Sequence, residues 1–154
     1  MASQLLDAEL NINTIQERVL NCYSEGRMRL MGDLLLNKMK IFPSMHAAVM
    51  ILDIETQNKF GYEQGDGEGF VNLPHKISDV VVSALFTEQK DFFRVSLRSK
   101  GEFSVNDFAR KYFNGGGHKN AAGGRLPMKK EQIEEYYAQS LKQFIEDNSI
   151  VFEE

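Results

Sequence analysis

The chain reads as a mixed α/β domain, a sheet of about five strands flanked by helices, with an N-terminal helical connector. Three observations carry that reading. Ala47–Leu52 and Val80–Phe86 are short unbroken apolar runs, as expected of strands covered on both faces. Phe92–Arg98 alternates apolar and polar residues, the period of a half-buried strand. Elsewhere apolar residues recur at three- and four-residue spacing, the stripe of an amphipathic helix.

Taken in order, residues 1–42 form the helical connector and 43–154 the globular domain. Ile12, Ile15, Val19 and Leu20 make one stripe, and Ser24-Glu25-Gly26 ends that helix and starts the next. Met28, Met31, Leu34, Leu35 and Met39 make a second stripe, which stops before Pro43. After the strand at Ala47–Leu52, Asp53–Asn58 supplies turn chemistry and Lys59–Tyr62 is expected to return as a strand. A turn at Gln89–Asp91 joins the next two strands. Ser104 is a good N-cap, with Asp107 near the positive helix end and Val105, Phe108, Ala109 and Tyr112 on one face. That helix stops at Asn114-Gly115, and Ala121–Leu126 forms another strand. Beyond Pro127, Ile133, Tyr136, Tyr137, Leu141, Phe144 and Ile145 mark a C-terminal amphipathic helix.

Composition narrows the function classes. An apolar content of 42% suits a globular chain with a real core. The formal charge of −4 argues against a broad nucleic-acid grip, which needs a basic stripe, but leaves room for a small basic pocket. Cys22 is the only cysteine, which suits a reducing cytoplasm. No apolar run approaches the ~18 residues of a membrane span, and no signal-peptide pattern opens the chain.

The most informative run is Asn114-Gly115-Gly116-Gly117-His118-Lys119-Asn120-Ala121-Ala122-Gly123-Gly124. Three glycines in a row let a backbone turn tightly and approach a ligand, and successive N–H groups can converge on an anion. His118 can donate to a phosphate oxygen or stack on a base. The plainer alternative is that Gly115 only caps a helix, a task for which one glycine suffices. In Phe92–Arg98, alternation sets Arg94, Ser96 and Arg98 on one face, opposite Phe93, Val95 and Leu97. Arg98, at the strand end, has the planar fork that grips two phosphate oxygens; alternatively it is an exposed arginine with no partner. His46 and His75 read as structural, and Phe60, Tyr62 and Phe70 as packing residues.

The run GGGHKNAAGG resembles the GGGH-x-x-A-A-G signature of the DHH-associated domain, the C-terminal substrate-binding module of DHH-family phosphoesterases. Glu68-Gly69-Phe70-Val71-Asn72 and Arg98-Ser99-Lys100-Gly101 are similar to segments of its oligoribonuclease and phosphoadenosine-phosphate phosphatase branch. The three motifs stand in the family's order across residues 45–126. The resemblance implies that Arg98, Ser99, Lys100, Gly115, Gly116, Gly117, His118 and Asn120 hold substrate phosphates, with Glu68 and Asn72 bordering the pocket. It implies as partners short single-stranded RNA or nucleotide phosphates and a catalytic DHH domain in cis. That domain would carry a di-manganese site, so no cofactor is expected in this chain. The Asp-His-His triplet of such domains does not occur here, and His46, His75 and His118 are far apart in sequence. The chain is therefore expected to be a substrate-binding half, inactive alone, either a fragment or a stand-alone binder. The connector's apolar face would meet the catalytic domain or a second copy in a homodimer. Two rival readings stay open: an RNA-binding module like the related domain of alanyl-tRNA synthetases, and a structural or dimerisation domain.

Overall fold

The computed structural model describes residues 23–152. The first apolar stripe, Ile12 to Leu20, and Cys22 lie outside the described residues. Ser24 caps helix α1 (Glu25–Asp33) by accepting the Arg27 amide, and a wide π-type turn over Leu34–Lys38 follows. The chain then extends into strand β1 (Met39–Phe42) and pairs antiparallel with β2 (Ala47–Leu52), Met39 opposite Met50. The helical stripe expected to run to Pro43 thus ends early, because backbone pairing with β2 outranks a weak local propensity.

A second correction concerns Lys59–Tyr62, expected as a strand. Asp53 caps helix α2 (Ile54–Phe60), its Oδ1 accepting the Thr56 amide at 2.8 Å, and Gly61 ends the helix at φ 62°. The cap, the acidic first turn and the left-handed glycine are a complete helix signature. A 3₁₀ turn over Phe70–Lys76 leads to β3 (Val82–Glu88) and β4 (Phe93–Ser99). Helix α3 (Val105–Tyr112), capped by Ser104, precedes β5 (Gly116–His118), β6 (Ala121–Leu126) and helix α4 (Lys130–Asp147).

The six strands form one sheet in the order β1-β2-β3-β4-β6-β5, with β2 and β3 parallel and every other neighbour antiparallel. One face buries Val49, Phe86, Val95 and Leu97 against α3 and α4, through Phe108, Tyr137, Leu141 and Phe144. Phe86 and Tyr137 meet edge-on at 5.9 Å, as do Phe108 and Phe113 at 5.1 Å. Each such side chain contributes about 1.5–3 kcal/mol through burial. On the opposite face, Met50, Leu52 and Leu85 of β2 and β3 meet Leu30, Leu34, Phe70 and Val71. Its remaining half, over β4, β6 and β5, adds no residue to that second core.

Asp53 ties the layers together. It is 3% exposed, and its Oδ2 lies 2.8 Å from Lys130 Nζ on α4 and 3.5 Å from Lys38 Nζ. Burial pushes its carboxyl up, but the hydrogen bonds from Lys130 and Thr56 and the charge of Lys38 outweigh burial and hold it well below the usual carboxylate range. Met28 of the second stripe is exposed among the described residues, as are Leu36 and Ile41 beside it. No helix among the described residues is long and apolar enough to cross a membrane.

Backbone meets backbone where α3 passes into β5. A Cβ on Gly124 would overlap the Phe113 carbonyl oxygen, whereas one on Gly32 in α1 would meet nothing within 4 Å. Gly124→Ala should therefore destabilise the domain by roughly 1–3 kcal/mol through overpacking, and Gly32→Ala should stabilise it by about 0.5–1 kcal/mol. Urea unfolding of the two variants checks both signs; equal midpoints would contradict the close contact at Gly124.

Candidate functional site

Register and alternation assemble the site. Arg98 on β4 is opposite Ser83 on β3 and Ala121 on β6, and Ala121 is opposite His118 on β5. One row therefore reads Ser83, Arg98, Ala121, His118. With strands about 4.8 Å apart, the Arg98 and His118 backbones stand about 10 Å from each other. Only the Ala121 methyl lies between them, and His118 is exposed. The gap has a cation on one side, an imidazole on the other and a small floor, a shape that admits a phosphate group. Arg98 donates from Nη1 to the Leu97 carbonyl at 2.8 Å and forms no ion pair among the described residues.

The other expected residues divide by what their polar atoms do. Ser99 follows Arg98 and so faces the other way; its hydroxyl donates to the Phe103 carbonyl at 2.7 Å. Asn120 Nδ2 donates to Ser99 Oγ and to the Gly101 carbonyl, both at 3.0 Å. These two side chains brace the turn after β4 from inside the fold. Lys100 Nζ lies 3.4 Å from the Ile77 carbonyl and 3.5 Å from that of Ser78. Among the glycine amides, Gly115 donates to the Ala109 carbonyl at 3.3 Å and Gly117 to Asn106 Oδ1 at 2.9 Å. The glycine run is thus the start of a strand whose amides at 115 and 117 are already partnered, and the expected anion cradle of three free N–H groups does not form. Glu68 and Asn72 are exposed beside the 3₁₀ turn, and neither side chain has a hydrogen-bond partner among the described residues.

Two further side chains bear on these elements: His75, read from the sequence as structural, and Arg27, which the sequence does not single out. His75, on the 3₁₀ turn, places Nε2 2.9 Å from Ser83 Oγ and Nδ1 3.3 Å from the Val80 carbonyl oxygen. The Ser83 hydroxyl also donates to the Val71 carbonyl at 2.6 Å. A neutral imidazole leaves one partner mismatched, either one hydroxyl proton before two acceptors or a bare Nδ1 against the Val80 carbonyl, whereas an imidazolium satisfies every partner. Burial nevertheless pushes the His75 pKa down; the Val80 carbonyl opposes this, and the charges of Lys100 and Arg98 reinforce it. The second residue is Arg27 on α1. Its guanidinium lies 3.9 Å from the Tyr23 ring centre and 5.6 Å from that of Phe70, and Nη2 donates to the Glu68 carbonyl at 2.9 Å. Arg27 thereby fixes the Glu68–Phe70 stretch against α1. The i-to-i+1 logic of a sequence gives no sign of either contact, because both cross between elements distant in the chain.

A larger cavity, about 470 Å³, lies elsewhere, between Val81, Lys100–Phe103 and Ile150–Phe152. Neither Arg98 nor His118 lines it. The strand row is preferred as the site because it juxtaposes an unpaired cation and an exposed imidazole. No three His, Cys, Asp or Glu side chains among the described residues come together in a metal-binding arrangement, so no metal-dependent step is derived for them.

The architecture is that of an α/β module, a six-stranded mixed sheet flanked by helices. The chain belongs to the DHHA1 domain family, whose profile matches residues 44–147. It is 38% identical over 80 residues to the bifunctional oligoribonuclease and PAP phosphatase NrnA of Bacillus subtilis, a match covering 52% of this chain and 25% of that protein. It is 29% identical over 126 residues to the NrnA of Thermus thermophilus, covering 82% and 36% respectively. An exopolyphosphatase-related protein from Bacteroides fragilis has the same fold, with a TM-score of 0.86 and 40% identity. That match covers 93% of this chain and 42% of the other. The chain thus spans a quarter to under a half of the length of these relatives.

His75 offers a pH readout of the site. Its folded pKa lies below the free value of 6.5, so its contribution to stability is full above that pH and is lost as pH falls towards the folded value. Thermal melting points should drop between pH 7.5 and pH 5.5 more steeply for the parent chain than for His75→Gln. An anion bound near Arg98 and Lys100 offsets their charge, so phosphate should move the His75 titration upwards. Imidazole proton NMR with and without phosphate checks the direction; a downward shift would contradict the geometry.

Proposed function

We propose that this chain is the substrate-holding part of a DHH-family phosphoesterase, in which the Arg98–Ala121–His118 row takes the terminal phosphate of a short oligoribonucleotide or of phosphoadenosine phosphate. The observation that supports it most is that row: an arginine without a carboxylate partner among the described residues faces an exposed histidine across an alanine floor. Arg98 supplies a planar fork for two phosphate oxygens. His118 donates from the far side. Glu68 and Asn72 border the sugar or base, and Lys100 adds charge at the turn. Hydrolysis in this reading is carried out by a manganese-dependent DHH domain beyond these residues, against which the exposed Met28, Leu36 and Ile41 pack. The relatives' names support oligoribonucleotides and PAP as the substrate class. A lone cysteine suits a cytoplasmic setting.

Positioning of this kind contributes several kcal/mol to a reaction without proton transfer by the holding residues. Titration of the chain with a 5′-phosphorylated adenine dinucleotide tests the reading. Saturable binding is expected, weakened roughly tenfold to a hundredfold in Arg98→Ala, as a charge-assisted phosphate contact implies. His118→Ala should weaken it by a smaller factor, with circular dichroism unchanged in both variants. Affinity unaltered by either substitution would remove the row from the site.

A further inference from the structure

The same open face carries a second cationic row that a terminal-phosphate site does not use. Arg94 on β4 and Arg125 on β6 are directly opposite each other in the sheet register. Alternation puts Arg94 on the face of Ser96 and Arg98, and Arg125 on the face of Gly123 and Ala121. Both arginines are exposed, and neither pairs with a carboxylate among the described residues. Like charges directly opposite across two strands destabilise a sheet by roughly 0.2–1 kcal/mol. A fold that keeps them there, and seats the Arg125 guanidinium 4.9 Å from the Phe92 ring centre, holds two positive forks side by side for an anion.

We infer that Arg94 and Arg125 form a second phosphate subsite, reached by a single-stranded oligonucleotide whose end lies at the Arg98–His118 row; this rests on the function proposed above. Four residues of strand separate the rows, about 13 Å. A strand with stacked bases rises about 3.4 Å per nucleotide, so the subsite meets a phosphate at most about four nucleotides from the end. The floor between the rows is Ser96 and Gly123, paired in register, with Ala121 at the near end, and it offers no bulky side chain to block a backbone lying along β4. Arg110 flanks this path from α3, since a Cβ on Gly116 would stand 3.4 Å from its Nε. Phe92 beside Arg125 gives a base an aromatic surface on which to stack. A duplex is disfavoured: the cationic face is about two strands wide, in a chain of net charge −4.

The test compares a 5′-phosphorylated adenine dinucleotide with the corresponding pentanucleotide on the parent chain, Arg94→Gln/Arg125→Gln, Arg94→Lys/Arg125→Lys and Arg98→Ala. The parent chain should hold the pentanucleotide about tenfold more tightly than the dinucleotide, the effect of one charge-assisted contact. The double glutamine variant should reduce the pentanucleotide to dinucleotide affinity, leave the dinucleotide unchanged and lower the salt slope by about 0.7. The double lysine variant should keep most of the pentanucleotide's advantage. Equal affinity for both lengths, lost in Arg98→Ala, would overturn the second subsite and leave the terminal-phosphate row standing. A double glutamine variant that weakens both lengths by one factor would also overturn it. Failure of both lengths to bind would overturn both proposals.

Discussion

The site depends on a contact between backbones that excludes every side chain. Where α3 passes into β5, a Cβ on Gly115 would overlap the Gly123 carbonyl, and one on Gly124 would overlap that of Phe113. A Cβ on Gly117 would stand 2.6 Å from the Ala121 carbonyl oxygen. Without these atoms the chain closes onto the edge of β6, Phe113 is sealed into the core at 0% exposure, and β5 adds one more strand to the sheet. That added strand sets His118 in the row of Arg98. The glycines act through the geometry they permit, since the Gly115 and Gly117 amides are satisfied by Ala109 and Asn106.

Charge is distributed to the same end. Lysines across the molecule are matched with carboxylates: Lys130 and Lys38 with Asp53, Lys111 with Asp147, Lys119 with Glu102, Lys40 with Glu134. The surface pairs are each worth about 0–1 kcal/mol, too little to hold the fold, yet they neutralise local positive charge. Arg94, Arg98, Arg110 and Arg125 have no such partners among the described residues, and they gather around β4, β6 and the α3–β5 edge. An acidic chain thereby gathers four arginines without carboxylate partners, among the described residues, around one end of its sheet.

Much of this was legible in sequence. Strict alternation over Phe92–Arg98 gave both faces of β4, and Ser104 with Asp107 gave the start of α3, because these signals lie between neighbours in the chain. Lys59–Tyr62 was expected as a strand although Asp53, Glu55 and Gly61 spell out a capped helix over Ile54–Phe60. The strand at Met39–Phe42 continues a helical apolar stripe and exists only through its pairing with Ala47–Met50. The strand at Gly116–His118 has the same origin, since backbone hydrogen bonding needs no side chain. Ser99 and Asn120 looked like ligand groups because they adjoin Arg98 and His118 in sequence, whereas strand alternation and a long-range bond direct them inward. His75 reads as merely structural and Arg27 carries no signal in sequence for the converse reason, their partners Ser83 and Glu68 lying across the fold.

The half-covered sheet gives a physical reason why holding and chemistry would be divided between domains. The face over β2 and β3 is sealed by α1 and the 3₁₀ turn, whereas among the described residues the face over β4, β6 and β5 has no second hydrophobic core upon it, and Arg94, His118 and Arg125 are exposed there. In water a unit charge pair about 4 Å apart is worth about 1 kcal/mol, and at an effective dielectric near 20 about 4 kcal/mol. A phosphate resting on Arg98 alone is therefore held weakly, and the same contact strengthens severalfold once a second surface closes over it. On the function proposed here, the domain that brings the metal site also removes the water, so that a substrate is gripped firmly only where it can be cleaved. The face of Arg98 and His118 is then the complementary surface of that closure, and the imidazole of His75, whose pKa is lowered first by burial and further by Lys100 and Arg98, would sense a bound anion through those two charges.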